Sequence, residues 1–96
     1  FGPVLSIVRF DDDADAVAMA NDSRFGLGAY LHTRDLSRAH KVAAALEAGC
    51  VAVNGMLPMA PNQPFGGVKQ SGFGREGGRA GLEEFMQIKQ VLMHLR

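Results

Sequence analysis

The sequence reads as an α/β chain with a parallel βαβαβ core, and three observations lead there. Strand-type and helix-type stretches alternate through the first half of the 96 residues. The third strand-type run, Cys50–Asn54, is apolar almost throughout, as a strand covered on both faces is. Nine of the 12 glycines fall between Gly49 and Gly81, so regular structure gives way to a long shaped loop in the second half. Alternating strands and helices imply parallel pairing through right-handed crossovers.

Each element has a local reason. Val4–Phe10 follows a proline and is rich in β-branched residues, which predicts a first strand. Asp11-Asp12-Asp13 offers an N-cap, and Asp12 with Asp15 three residues on has capping-box spacing. Ala14, Val17 and Ala18 then share a helix face, which Asn21-Asp22-Ser23 ends with turn chemistry. Gly28–Thr33 is a second strand. Asp35 caps a second helix whose Leu36, Ala39, Ala43 and Leu46 form one stripe, with Gly49 in the place of a C′ glycine. Gly55–Gly74 is a loop of a length that is uncommon without a function. A short helix over 79–85 and a last strand over Gln87–Leu95, apolar on both faces, complete the reading.

Composition excludes several classes. Lys plus Arg and Asp plus Glu number 10 each, for a formal net charge of zero. Nucleic-acid binders and proteins held on anionic lipid carry a basic excess, so neither partner is expected. The charge is nevertheless split: residues 1–48 carry five basic and seven acidic groups, residues 49–96 five and three. Cys50 is the only cysteine, which rules out an internal disulfide and a Cys-based zinc site, and a reducing, cytoplasmic location is expected. No apolar run approaches the roughly 18–20 residues of a membrane helix. A chain that opens on Phe1, without Met or a signal-peptide pattern, is expected to be a piece of a longer protein.

The candidate chemical groups do not assemble into a catalytic set. Gly72-Phe73-Gly74-Arg75-Glu76-Gly77 matches G-x-G-x-x-G, but no clear strand precedes it and no acid stands about 20 residues on, so a glycine-rich turn before a helix is the better reading. Cys50 lies inside an apolar strand, where cysteine acts as a small hydrophobe, and a nucleophile would need a base beside it. His32, His40 and His94 are scattered, without metal-ligand spacing. Asp11-Asp12-Asp13 is a solvated cap rather than a cation site. Met56 and Met59 either line an apolar pocket or fill space. Neither a catalytic nor a metal-binding residue is expected in this chain.

The ordered motifs say more. Phe1-Gly2-Pro3-Val4 resembles the end of the E-x-F-G-P-V motif of the NAD(P)-dependent aldehyde dehydrogenases. Ala20-Asn21-Asp22-Ser23-Arg24-Phe25-Gly26-Leu27 and Gly49-Cys50-Val51-Ala52-Val53-Asn54 resemble two further segments of that family. Pro64-Phe65-Gly66-Gly67-Val68-Lys69-Gln70-Ser71-Gly72-Phe73-Gly74-Arg75-Glu76 resembles its P-F-G-G-x-K-x-S-G-x-G-R-E motif, and the stretch Gly66–Gly77 is most similar to the semialdehyde branch, such as succinate-semialdehyde dehydrogenases.

The resemblance implies the C-terminal part of an enzyme that oxidises an aldehyde to a carboxylic acid. A Cys thiolate attacks the aldehyde, hydride passes to the nicotinamide, and a Glu-activated water cleaves the thioester. Nucleophile, Glu and cofactor fold would all lie upstream, so the piece alone is expected to be inactive, with NAD or NADP bound mainly by the missing domain. Phe1 would pack beside the nicotinamide, and Phe65 and Met59 would line the substrate pocket. Residues 1–86 would belong to the catalytic domain and 87–96 to an oligomerisation strand of a dimer or tetramer. The alternative is a non-enzymatic oligomerisation or interaction module.

Overall fold

The computed structural model describes residues 2–57 and 60–95. In chain order the elements are α1 (Asp13–Asn21), β1 (Phe25–Gly26), β2 (Gly28–Leu31), α2 (Leu36–Ala45), β3 (Cys50–Val53), β4 (Val68–Lys69) and α3 (Gly78–Glu83). β2 and β3 pair in parallel, from Gly28 opposite Cys50 to Leu31 opposite Val53, with α2 as the crossover. β1 pairs antiparallel with β4, Phe25 opposite Lys69.

The caps form as the sequence predicts. Asp12 accepts from the Asp15 N–H at 2.8 Å, and Asp11 N–H donates back to Asp15 Oδ2 at 3.3 Å. Asp35 accepts from the Arg38 N–H at 3.0 Å and starts α2. The Asp12 and Asp35 caps each satisfy a donor that a helix N-terminus leaves without an intrahelical partner, and the Asp11 bond ties down the residue before the cap. Along the predicted α2 stripe Ala39 is buried, Ala43 and Leu46 are half-buried, and Leu36 stays exposed at the first turn.

Ala39 and Ala52, on α2 and β3, are the buried hydrophobic residues among those described. Two methyl groups contribute little at about 25 cal/mol per Å2 of buried apolar area. Half-buried Val17, Val42, Leu46, Val51 and Phe65 add to this, and polar contacts fix the joints. Asn21, at the end of α1, donates from Nδ2 to Ala45 O at 2.9 Å and accepts at Oδ1 from Glu47 N–H at 2.8 Å. Its amide thus closes the C-terminal end of α2. Lys69 Nζ donates to Asn21 O at 2.7 Å and Ser23 O at 3.0 Å, and pairs with Glu47 Oε2 at 2.6 Å. Lys69 holds φ at 54°, a left-handed backbone uncommon for its type, and the three acceptors around its ammonium offset that strain. Asn54, at φ 56°, clasps Thr33 from both sides: its Oδ1 accepts from Thr33 N–H and its Nδ2 donates to Thr33 O.

Four expectations are corrected. Val4–Phe10 forms no ladder: it runs irregularly with Val4 and Ile7 more than four-fifths exposed, because no described strand offers it hydrogen-bonding partners. The same holds for Gln87–Leu95, where Ile88 and Leu95 lie fully in solvent. The parallel core within this chain is therefore one βαβ unit, β2–α2–β3. The two irregular segments stretch the molecule to 70 × 34 × 25 Å with a radius of gyration of 18.3 Å, against about 13 Å for a compact domain of 100 residues. Finally, Gly49 is not a C′ glycine. α2 ends at Ala45, and Gly49 N–H donates to Gly26 O at 3.0 Å three residues beyond the C-cap, Leu46. Glycine is needed there because a Cβ would overlap Gly66 O and stand 2.8 Å from Gly66 C and 3.0 Å from Gly67 Cα.

Gly49→Ala is expected to lower stability by about 1–3 kcal/mol, the range for overpacking against atoms that cannot retreat. A shift in urea midpoint reads this, and an unshifted midpoint would mean that the Gly66 loop can lift off β3. A second expectation concerns pH. The backbone N–H of Arg38 holds the Asp35 carboxyl below its usual value of 3.8, with the Ser37 N–H and the Arg38 and Lys41 charges acting the same way and desolvation opposing. A lowered folded-state pKa means that the cap is at full strength above pH 3.8 and is lost as pH falls through the lower folded value. Asp35→Asn caps without titrating, so the stability difference between the two proteins should shrink across that acid range. A constant difference down to pH 2 would separate the cap from the carboxylate charge.

Candidate functional site

The glycine-rich segment folds back on itself around Phe65. Phe65 and Glu76 exchange both backbone hydrogen bonds, N–H to O at 2.7 Å in each direction. Between them the chain makes a loop whose neck is closed by Arg75. Its Nη1 donates to Gly67 O at 2.8 Å and to Gly74 O at 2.7 Å. Gly66 and Gly67 leave no room for side chains: a Cβ on Gly66 would stand 2.6 Å from Gly74 O, and one on Gly67 2.5 Å from Ser71 Cβ. Ser71 Oγ in turn accepts from Gly26 N–H at 3.0 Å, which ties the loop to β1. On the other side the Cys50 thiol lies 3.7 Å from Gly66 O.

Phe65, half-buried, stands between two concavities. One, of about 510 Å3, is lined by Cys50, Val51, Leu57, Gln63, Phe65 and Glu76 among others. The other, of about 520 Å3, runs past Phe65, Phe73, Arg75, Glu84 and Phe85. A cleft of several hundred Å3 with mainly apolar walls and few polar groups is the usual form of a small-molecule site.

Of the sequence-predicted site residues, Phe65 is placed on this partition, whereas Phe1 and Met59 lie outside the described residues. Met56 projects into solvent. Cys50 is half-buried in the cavity wall, and none of the three histidines lines that cavity. His32 borders a separate shallow cleft with Thr33, Arg34 and Asn54. Asp12 caps α1, Asp13 pairs with Arg38 at 2.8 Å, and Asp11 lies 3.7 Å from Arg9. Among the described residues no group of three His, Cys, Asp or Glu side chains is arranged to hold a metal ion. No described helix is long and apolar enough to cross a membrane.

The G-x-G-x-x-G run does not fit a dinucleotide. Gly72, Gly74 and Gly77 all have positive φ, but the space beside Gly74 faces the Glu84 carboxylate at 3.5 Å, and that beside Gly77 faces Gln63 O at 2.6 Å. A pyrophosphate would meet a carboxylate and a carbonyl there instead of open N–H groups. The run serves the chain's own turn into α3, as the turn reading predicts. What sequence reasoning missed is Arg75. The adjacent carbonyls of a Gly-Gly turn are a natural target for a guanidinium, but nothing in the spacing says that position 75 returns to residue 67.

Comparison with known proteins agrees with this architecture. Residues 1–91 match the aldehyde dehydrogenase family, and the chain belongs to it. It is 47% identical over 95 residues to the NADP(+) succinate-semialdehyde dehydrogenase of Escherichia coli, covering 99% of this chain and 20% of that protein. It is equally 47% identical over 96 residues to betaine aldehyde dehydrogenase 2 of Rhizobium meliloti, again 20% of the relative. Among solved structures, succinate-semialdehyde dehydrogenase from Burkholderia pseudomallei superposes with a TM-score of 0.77 at 49% identity, over 81% of this chain and 16% of the other. A betaine aldehyde dehydrogenase from Staphylococcus aureus, solved with NAD+, gives 0.83 at 42% identity, over 88% and 17%. The chain thus spans about one-fifth of the length of the curated relatives it matches.

Proposed function

We propose that this chain supplies the substrate-side wall of an NAD(P)-dependent aldehyde dehydrogenase, with Phe65 as the aromatic face against which the aldehyde lies. The observation that carries the reading is the placement of Phe65: a half-buried ring on a clamped Gly-Gly turn, dividing two concavities. A reaction that converts aldehyde and water to carboxylic acid needs apolar walls that govern when water reaches the reacting carbon. Met59 would face the same aldehyde. Phe1 would flank the nicotinamide, whose role when bound is to accept hydride. NAD or NADP would be held mainly by residues upstream of this chain, as would the nucleophile and base, which leaves the 96-residue piece inactive by itself.

The succinate-semialdehyde and betaine aldehyde enzymes are equal in identity to this chain, and their named substrates carry opposite charges. The cavity wall is mainly apolar, with Gln63 and Glu76 as its polar and charged lining residues. Charge selection would rest with upstream residues together with Glu76, and the semialdehyde preference is proposed from the glycine-rich motif alone. Residues 1–86 would complete the catalytic domain, with Val4–Phe10 gaining a ladder partner there and extending the βαβ unit to a parallel βαβαβ core. Residues 87–96 would join a sheet across subunits in a cytoplasmic dimer or tetramer.

In the full-length enzyme Phe65→Ala is expected to lower kcat/KM for the aldehyde by about 1–3 kcal/mol, the scale of lost pocket contacts, with cofactor affinity nearly unchanged. Equal kcat/KM across a series of aldehydes of increasing size would remove Phe65 from the pocket.

The isolated chain generates a separate expectation. Ile88, Val91, Leu92, Met93 and Leu95 are all exposed, and an apolar segment without a ladder partner gains one by pairing with a second chain. The 96-residue chain should therefore self-associate at tens of micromolar and oxidise no aldehyde. Val91→Lys with Met93→Lys should return it to monomer. A wild-type chain that sediments as a stable monomer, or that turns over aldehyde, would contradict the proposal.

A further inference from the structure

We propose that Arg75 is a positioning residue for the aldehyde pocket: its guanidinium holds the Gly66-Gly67 turn closed and thereby fixes the angle at which Phe65 faces the aldehyde. The inference rests on the reading of Phe65 as the pocket aromatic and goes one residue beyond it. Four observations converge. The Arg75 Nη1 atom bridges two carbonyls, Gly67 O and Gly74 O, one on each arm of the loop. Phe65 is registered against Glu76, the residue after Arg75, through both of its backbone hydrogen bonds. The Arg75 side chain also packs along the turn, since a Cβ on Gly66 would lie 2.8 Å from its Cδ. Arg75 itself is half-buried, so its bonds to the two carbonyls are shielded from competing water.

The geometry defines what loss of the guanidinium does. Gly67 O and Gly74 O would lose a shared charged donor in a partly desolvated place, and the two arms would part. Phe65 is the last paired residue before the Gly-Gly turn, so the opening is felt first at its ring. Arg75 borders the cleft with Phe73 and Phe85 and does not line the cavity with Cys50 and Leu57, so its effect on that cavity passes through the residues it holds in place, Phe65 first among them.

The test is a double-mutant cycle in the full-length enzyme together with amide hydrogen exchange. Arg75→Met should lower kcat/KM for bulky aldehydes on the order of tenfold, less than the roughly hundredfold that a full 1 Å misplacement can cost, while the cofactor dissociation constant stays within about twofold. In a Phe65→Ala background the same substitution should cost almost nothing further. Phe65 and Glu76 amides should exchange faster in Arg75→Met than in the wild type, whether or not turnover is observed. Arg75→Lys, which keeps an ammonium donor near the two carbonyls, should show both effects at reduced size and covers the case in which the Met variant does not fold. Additive losses in the cycle, or unchanged exchange at Phe65 and Glu76, overturn the positioning role. A wild-type enzyme inactive toward every aldehyde overturns the functional reading instead, and the exchange measurement still decides whether Arg75 closes the turn.

Discussion

The approach of two backbones at Gly49 and Gly66 is the constraint on which the rest depends. β3 begins at the residue after Gly49, and the pocket turn begins at Gly66, so their contact joins the βαβ unit to the glycine-rich loop. Any side chain at 49 would push the loop off β3. The thiol of Cys50 would then lose Gly66 O, and the wall shared by Cys50 and Phe65 would open. The first half of the chain supplies a rigid strand, and the second half lays a shaped loop directly on it.

Such a joint has to be held by something other than a core. Among the described residues Ala39 and Ala52 are the fully buried apolar ones, with Val17, Val42, Leu46, Val51 and Phe65 half-buried, so the chain gains only modestly from desolvation between its own elements. Its register comes instead from side chains that reach main-chain atoms: Asn21 at the end of α2, Asn54 on Thr33, Lys69 on the turn after α1, Arg75 across the loop neck. Each such bond adds about 1 kcal/mol net, and the exposed Asp13–Arg38 pair adds less. These contacts fix geometry more than they supply stability. The large apolar residues of 4–10 and 88–95 remain in water, an apolar surface beyond the singly scattered residues of a typical monomer.

Local signals were legible and long-range ones were not. The Asp12 and Asp35 caps, the α2 stripe and the parallel partnership of β2 with β3 follow from neighbours within a few residues or from the uniform apolarity of Cys50–Val53. β1 and β4, two residues each and more than 40 apart, carry no periodicity that could announce them. Val4–Phe10 and Gln87–Leu95 have strand composition, but a strand exists only with a partner, and composition does not say where the partner is. A helix-end rule assigns Gly49 to a C′ position, whereas its actual cause is a contact 17 residues away. Phe65 is legible as a candidate through the family resemblance, which covers its motif. The strap at Arg75 was not, because it is a property of how the loop returns.

The Gly72–Gly77 run shows why a glycine pattern alone is weak evidence of a phosphate site. Glycines at positive φ are required equally by a loop that wraps a pyrophosphate and by one that turns tightly into a helix. The sequence looks the same in both cases. What separates them is the occupant of the volume that a Cβ would have taken. Here Gln63 O fills it at Gly77 and the Glu84 carboxylate faces it at Gly74, so the permissive backbone is used to bring the chain against itself. That self-contact places Glu76 opposite Phe65 and Arg75 across the loop neck. The glycines therefore build the frame that carries Phe65 between the two cavities, and not the phosphate cradle that their spacing first suggests.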